Sequence, residues 1–279
     1  MPPERSGWDW RLLGAAAGAG AAAGWLLARA AARPRVWGRG PRPGWRPGDP
    51  QAPPWGPGGG RAVELDPREL GPRRCYPLLI SSVVPRPIAL VSSVSAAGVR
   101  NLAPFSYFSA FHDPPSVVVT VCRAAYRPGD RKKDTLANIE ATKEFVVNVV
   151  SEWYVEGANH TCGNFDAEED EIALAGLATT PSSVVAPERV ASAAVAMECR
   201  LTHNLEMVGQ AGQPSANVLI GEIVRWHVQE DCLGQTPSGS PHVVLDKLKP
   251  IGRMGGNTYA RPLECFDYPR PAQKAKRDV

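Results

Sequence analysis

Five consecutive residues, Arg131, Lys132, Lys133, Asp134 and Thr135, offer the most definite chemistry in the chain. Three cations lead into a stretch with helical spacing. The first turn of a helix presents backbone N–H groups and the positive end of its dipole, both of which favour an anion. Lys133 would add a charge and Thr135 a hydroxyl, a pairing suited to phosphate. Taken alone, the segment fits equally a solvated basic turn ahead of an ordinary N-cap, which is the plainer reading. It has no Walker-type glycine spacing, so it does not indicate a nucleoside triphosphate site.

The other reactive residue types are scattered. Cys75, Cys122, Cys162, Cys199, Cys232 and Cys265 stand far apart with no paired spacing, which argues against a zinc site and supplies no disulfide framework. Cys122 and Cys199 lie in strand-like runs and read as core fillers rather than nucleophiles. The five histidines are unclustered; His112 reads as a loop contact and His160 as part of a polar helix face. The acidic run 168–171 reads as a solvated helix face. No catalytic residue, hydrolase triad or metal site can be argued from these residues.

What would position the basic helix start is a set of strands. Residues 85–108 begin with strand chemistry, Ile88, Leu90, Val91 and Val94 interleaved with Ser92, Ser93 and Ser95. A turn at 96–98 follows, and then a second arm from Val99 through Asn101 and Leu102 to Phe105, Tyr107 and Phe108. Pro104 inside that arm implies an edge or a bulge, where main-chain groups can face a ligand. Further strands are expected over 117–122, buried on both faces, and over 145–150, 197–208, 217–228 and 242–251. A short helix is expected over 134–142, capped by Asp134 or Thr135, and a polar helical stretch over 152–174 ending at Gly176. Many strands, few helices and no regular alternation favour an antiparallel barrel over a doubly wound sheet.

Ahead of these elements lies an arm of different composition. Residues 1–60 carry eight Arg against Glu4, Asp9 and Asp49, a net of +5; the whole chain is +3, so residues 61–279 are at −2. The folded part is not a polyanion binder by charge, and nucleic acid is set aside as a partner. Residues 12–28 contain no charge and are bracketed by Arg11 and Arg29. That is the lower limit of length for a membrane span, and Ala and Gly gain little on leaving water. Small residues four apart and nearby tryptophans favour insertion; an Arg-rich, acid-poor arm favours an organelle presequence. Residues 1–35 are accordingly expected to be a targeting segment or a single-pass anchor with possible membrane association through 12–28, placing the remainder in an aqueous reducing compartment. Residues 36–60, mostly Pro, Gly, Arg and Trp, read as a flexible linker. A folded domain over 61–270 and a basic tail over 271–279 complete the division.

Read together, PRPIALVSSVSAAGVRNLAPFSYF, HDPPSVVV, KKDTLANIEATKEFVVNVV, DEIALAGL and the late GRMGGNTYARP resemble the flavin reductase-like family of FMN-binding split barrels, over about residues 76–269. The resemblance implies a mainly β fold with short helices, a six-stranded antiparallel Greek-key split β-barrel forming a homodimer with FMN near the interface. It places Ser92 and Ser93 beside the flavin ring or ribityl chain, with Asn101, Ala103 and Ser106 lining the same site from the second arm. Lys133 and Thr135 fall where the family holds the FMN phosphate, which now outweighs the plain-turn reading. Gly256, Thr258 and Tyr259 approach the cofactor, one route being across the dimer interface, and Arg86 either shapes the site or serves the fold. The implied activity is hydride transfer from NADH or NADPH to flavin; the alternative is an FMN-binding electron carrier serving a protein partner. No Gly-rich dinucleotide fingerprint is present, so a nicotinamide donor would bind without a Rossmann domain.

Overall fold

The computed structural model describes residues 36–44, 46, 48–50, 53–54, 60–124, 132–166, 169–262 and 264–268. The chain divides into two units, Arg46–Pro262 and a smaller one of Met1–Trp45 with Leu263–Val279. In the smaller unit, β1 (Val36–Gly38) pairs in parallel with a strand at Glu264–Phe266, so three residues of the Pro/Gly-rich stretch are drawn into a ladder.

The larger unit is built on seven strands: β2 (Ala89–Val94), β3 (Arg100–Phe105), β4 (Phe108–His112), β5 (Pro115–Cys122), β6 (Glu144–Val149), β9 (Val195–Val208) and β10 (Pro214–Val228), while β7 (Thr179–Thr180) and β8 (Arg189–Val190) form a separate short ladder. Their order is β3-β2-β6-β9-β10-β5-β4, with every adjacent pair antiparallel. Strand periodicity divides β2 between two cores. Ala89 and Val91 face inward with Phe105, Val117, Val119, Val121, Phe145 and Val147, where Leu136 and Ile139 of helix α2 (Asp134–Thr142) join them. Ile88 and Leu90 face outward with Leu102, under Tyr154, Ala158 and Ile172 of the short helical turns. Strand β10 crosses the inner core closely at Gly221, where a Cβ would overlap the fully buried Phe145 ring. Only glycine permits that approach.

The expected hairpin forms, and β3 is an edge strand as Pro104 implied. Leu102 N–H points away from β2; Pro104, two residues on, shares that outward side, where the proline's missing N–H costs no ladder bond. The second arm, however, ends at Phe105. Phe108 starts β4, which pairs with β5 at the opposite end of the strand order, and this makes seven strands rather than six. The strand over 117–122 buries Val117, Val119 and Val121 on one face while Val118 and Thr120 stay half-exposed, so it is not buried on both faces.

Two other stretches differ from expectation, and one helix was not expected. The stretch 152–174 is a 3-10 turn (Glu152–Tyr154), helix α3 (Val155–His160) and helix α4 (Glu171–Leu174), because Gly163 and the residues around it interrupt the helix. The 242–251 strand is instead β12 (Pro241–Val243), paired with β11 (Leu233–Gln235) and followed by helix α5 (Leu245–Leu248). Helix α1 (Pro67–Ser82), broken at Gly71 with φ 70°, was concealed by Pro72 and Pro77. The location expected from the N-terminal arm is also withdrawn. Among the described residues no helix is long and apolar enough to cross a membrane, and the stretch 12–28 itself lies outside the described residues.

Candidate functional site

Helix α2 begins as the sequence indicates, but its N-cap is Lys133 rather than Asp134 or Thr135, and the Lys133 side chain makes no capping hydrogen bond. Its own cap therefore leaves the first-turn N–H groups to other acceptors. Lys132 is committed to the helix through a 2.8 Å ion pair with Glu140. The Lys133 amine instead lies 5.8 Å from the centre of the Phe105 ring, at the end of β3. The basic helix start and the edge hairpin thus form adjacent walls. Arg131 lies outside the described residues.

Directly behind the helix start is a buried polar cluster. Ser93 and Asn101 are cross-strand partners in β2 and β3, and both turn toward α2, where Thr135 and Asn138 meet them. Asn101 is 2.9 Å from Thr135 Oγ1 and 3.3 Å from Ser93 Oγ, and Asn138 Nδ2 donates to Ser93 Oγ at 3.2 Å. All four side chains are buried. Ser92, one residue away, takes the opposite face: its hydroxyl donates to Glu188 O at 2.6 Å and accepts from Asn148. Ala103 packs against the inner core.

A second group gathers around Arg86. Its guanidinium is buried and donates to Ile80 O and Val83 O at 2.6 Å each, closing the C-terminal end of α1, while Nε donates to Ser106 Oγ at 3.3 Å. Its backbone bridges Arg253 in β13 (Gly252–Gly255). From β13, Arg253 donates to Gly256 O at 2.6 Å and stacks 4.5 Å over the Tyr259 ring in β14 (Thr258–Ala260). Tyr259 donates its hydroxyl to Asn159 Oδ1 at 2.6 Å, and Thr258 is exposed. A cavity of about 260 Å³ lies on this side, lined by Val155, Asn159, Ile251, Tyr259 and Arg261. Gly256, Thr258 and Tyr259 therefore belong with Arg86 and Ser106, and Ser93, Asn101 and Thr135 with the start of α2.

Sequence reasoning missed Glu171. Far from being part of a solvated acidic face, its carboxylate reaches the open edge of β3, where Oε2 accepts from Leu102 N at 3.2 Å and Oε1 stands 3.1 Å from the Asn101 amide. Its neighbour Asp170 caps α4 and accepts from Arg100, which also donates to Glu188; the hydrogen bond to Asp170, above all, raises the guanidinium's pKa. Burial pushes the Glu171 carboxyl up to about 7, with Asp134 and Asp170 adding repulsion. Cys122, expected in the core, is exposed at the end of β5, whereas Cys199 is buried. Among the described residues no cluster of three or more metal-ligating side chains occurs.

Because burial keeps the proton on Glu171, the stability of the fold depends on pH. The unfolded chain releases this proton near 4.5, while the folded protein keeps it to about 7, so the folded state binds more protons in that window and stability falls as pH rises through it. Glu171→Gln is expected to remove that loss. Thermal melts of both proteins at about pH 5 and about pH 8 should show the variant gaining on the wild type at the higher pH. Equal differences at both pH values would contradict the assignment.

The Flavin reductase like domain profile matches residues 81–243. The chain is 36% identical to nitrilotriacetate monooxygenase component B from Bacillus cereus, with a TM-score of 0.69 and coverage of 75% of this chain and 100% of that one. It is 30% identical to the Pseudomonas fluorescens 2-nitrobenzoate 2-nitroreductase NbaA, with a TM-score of 0.65 and coverage of 77% and 100%. A split barrel domain protein from Shewanella frigidimarina, 20% identical with a TM-score of 0.59 over 75% of this chain and 96% of that one, shares the fold. The antiparallel barrel, the edge hairpin and these matches agree: the chain is a split barrel and belongs to the flavin reductase-like domain family.

Proposed function

We propose that the protein is an FMN-dependent oxidoreductase of flavin reductase type, with the FMN phosphate at the start of α2 and the ring and ribityl chain along the edge hairpin. The observation that carries this reading is the helix start itself. A helix of ordinary length opens beside the hairpin, without a side-chain cap, and with the Lys133 amine turned toward Phe105. That donor set fits a phosphate dianion: N–H groups aligned with the helix dipole plus one ammonium. When bound, FMN supplies hydride acceptance and donation. The chain's residues bind and orient. Lys133 neutralises phosphate charge, the Asn101 and Thr135 pair fixes the helix against β3, and Arg86 holds Ser106 and the β13 edge in place.

The donor in this reading is NADH or NADPH, stacking on an open face of the ring. The relatives' descriptions, a monooxygenase component and a nitroreductase, support redox chemistry of this class. Anaerobic mixing of the flavin-loaded protein with each nicotinamide tests it. Absorbance near about 450 nm, where oxidised flavin absorbs, should bleach with at least one donor. A stable spectrum with both would remove the reductase reading and favour an electron carrier. We also propose a homodimer. Its support is the exposed apolar surface of Leu205, Met207 and Val208 at the outer end of β9 and of Phe111 on β4. Sedimentation equilibrium should give twice the chain mass, and a monomer at micromolar concentration would contradict it.

A further inference from the structure

The Asn101 amide stands between an acid and a hydroxyl. One of its ends is 3.1 Å from Glu171 Oε1; the other is 2.9 Å from Thr135 Oγ1, 3.3 Å from Ser93 Oγ and 3.2 Å from Leu102 N. An amide has one donating and one accepting end, so what it shows Thr135 is the opposite of what it shows Glu171. An ionised carboxylate only accepts. The amide nitrogen must then face Glu171, and the amide oxygen takes the hydroxyl protons of Thr135 and Ser93. A protonated Glu171 donates its O–H to the amide oxygen. The nitrogen then turns to Thr135 and Ser93, and the Thr135 proton is released toward the start of α2. Leu102 N–H has Glu171 Oε2 as its acceptor in both states; the amide oxygen is a second acceptor in the ionised state, and in the protonated state the amide nitrogen faces this N–H, a contact that the bonds to Thr135, Ser93 and the Glu171 O–H must offset.

We propose that Glu171 is a positioning residue that sets the orientation of Asn101, and through it whether Thr135 presents a proton or a lone pair to the phosphate of bound FMN. This rests on the phosphate being held at the start of α2, as proposed above. Phosphate needs donors, so the protonated arrangement is the binding one, and FMN binding near neutrality takes up a proton from solvent at Glu171. The groups facing this carboxyl fit that role. Asp134 from α2 and Asp170 from the cap of α4 both oppose its ionisation, and Arg100 of β3 directs its charge to Asp170 and Glu188. Lys133 heads α2, and the nearby Tyr154 hydroxyl is committed to Val149 O. Burial holds the Glu171 carboxyl at about 7, which places the change near neutrality.

Glu171→Gln supplies the test, because its amide can donate to Asn101 and accept from Leu102 at every pH, copying the protonated state. FMN and riboflavin affinities of the wild type and the variant are measured by fluorescence titration from about pH 6 to about pH 9. The account expects the variant to hold FMN about tenfold tighter than the wild type at about pH 9, one unit of proton linkage, and equally at about pH 6. Titration of the FMN phosphate itself affects both proteins and cancels in their ratio. Riboflavin should bind both alike at each pH. A ratio for FMN that does not change with pH overturns the inference while leaving the FMN site standing. Riboflavin binding with no preference for FMN at any pH overturns the phosphate site and the inference with it. In the ligand-free protein, the Leu102 amide resonance should move through about pH 7 in the wild type and stay fixed in the variant. A shift that survives the substitution would show that Glu171 is not the titrating group.

Discussion

Replacing Lys133 by Ala together with Thr135 by Val is expected to weaken FMN binding about 100-fold while changing riboflavin binding by less than about threefold, since a charge-assisted hydrogen bond contributes ~1.5–3 kcal/mol and riboflavin lacks the phosphate. The structure supports the asymmetry. Lys133 lies at the Phe105 end of the hairpin and Thr135 in the first turn of the helix, with Lys132 committed to Glu140 and unable to substitute for its neighbour. Thr135→Val also removes the hydroxyl that meets Asn101, so the variant should lose about 1 kcal/mol of stability, the ordinary loss for one buried hydrogen bond. Circular dichroism separates this from the binding loss. Equal losses for FMN and riboflavin would show that these residues do not touch phosphate.

Arg86→Met is expected to be the most damaging single change near the site, destabilising the fold by roughly 3 kcal/mol through two deprived carbonyls. The guanidinium is buried, and its donors satisfy Ile80 O and Val83 O at the end of α1 as well as Ser106 Oγ. Met fills the space without supplying a donor. Arg86→Lys should recover only part of the stability, because an ammonium cannot reproduce the planar fork that reaches both carbonyls. Urea unfolding monitored by tryptophan fluorescence measures both. A Met variant as stable as the wild type would mean that these carbonyls find other partners and that Arg86 serves the ligand rather than the fold.

Local chemistry was legible in the sequence wherever it was also decisive. Helix α2 falls on the residues its apolar spacing indicated, because Leu136 and Ile139 have no other face to bury. The edge strand was readable from Pro104, since proline cannot donate to a neighbour on its outer side. The failures are places where distant residues decide. Nothing in 168–171 tells Glu171 from its neighbours; it is buried because β3, about seventy residues earlier, offers Leu102 N–H at an open edge. The cap of α2 moved to Lys133 because the Thr135 side chain is held by Asn101 instead of its own helix. Helix α1 was hidden by its prolines: the break at Gly71 lets Pro72 open the second segment, while Pro77 lies inside that segment. Cys122 looked like core, yet the end of β5 leaves it exposed. Among the sites carried by resemblance, Ser93, Asn101 and Thr135 converge, whereas Ser92 faces the outer layer and hydrogen-bonds Glu188. Alternation along β2 makes that division unavoidable.

The most direct measurement is a crystal structure of the FMN complex. The phosphate should lie on the first-turn N–H groups of α2, within hydrogen-bond reach of Lys133 Nζ, with the ring along β2 and β3. A phosphate bound instead at the Arg253 and Tyr259 hairpin, with the start of α2 contacting no ligand, would contradict it.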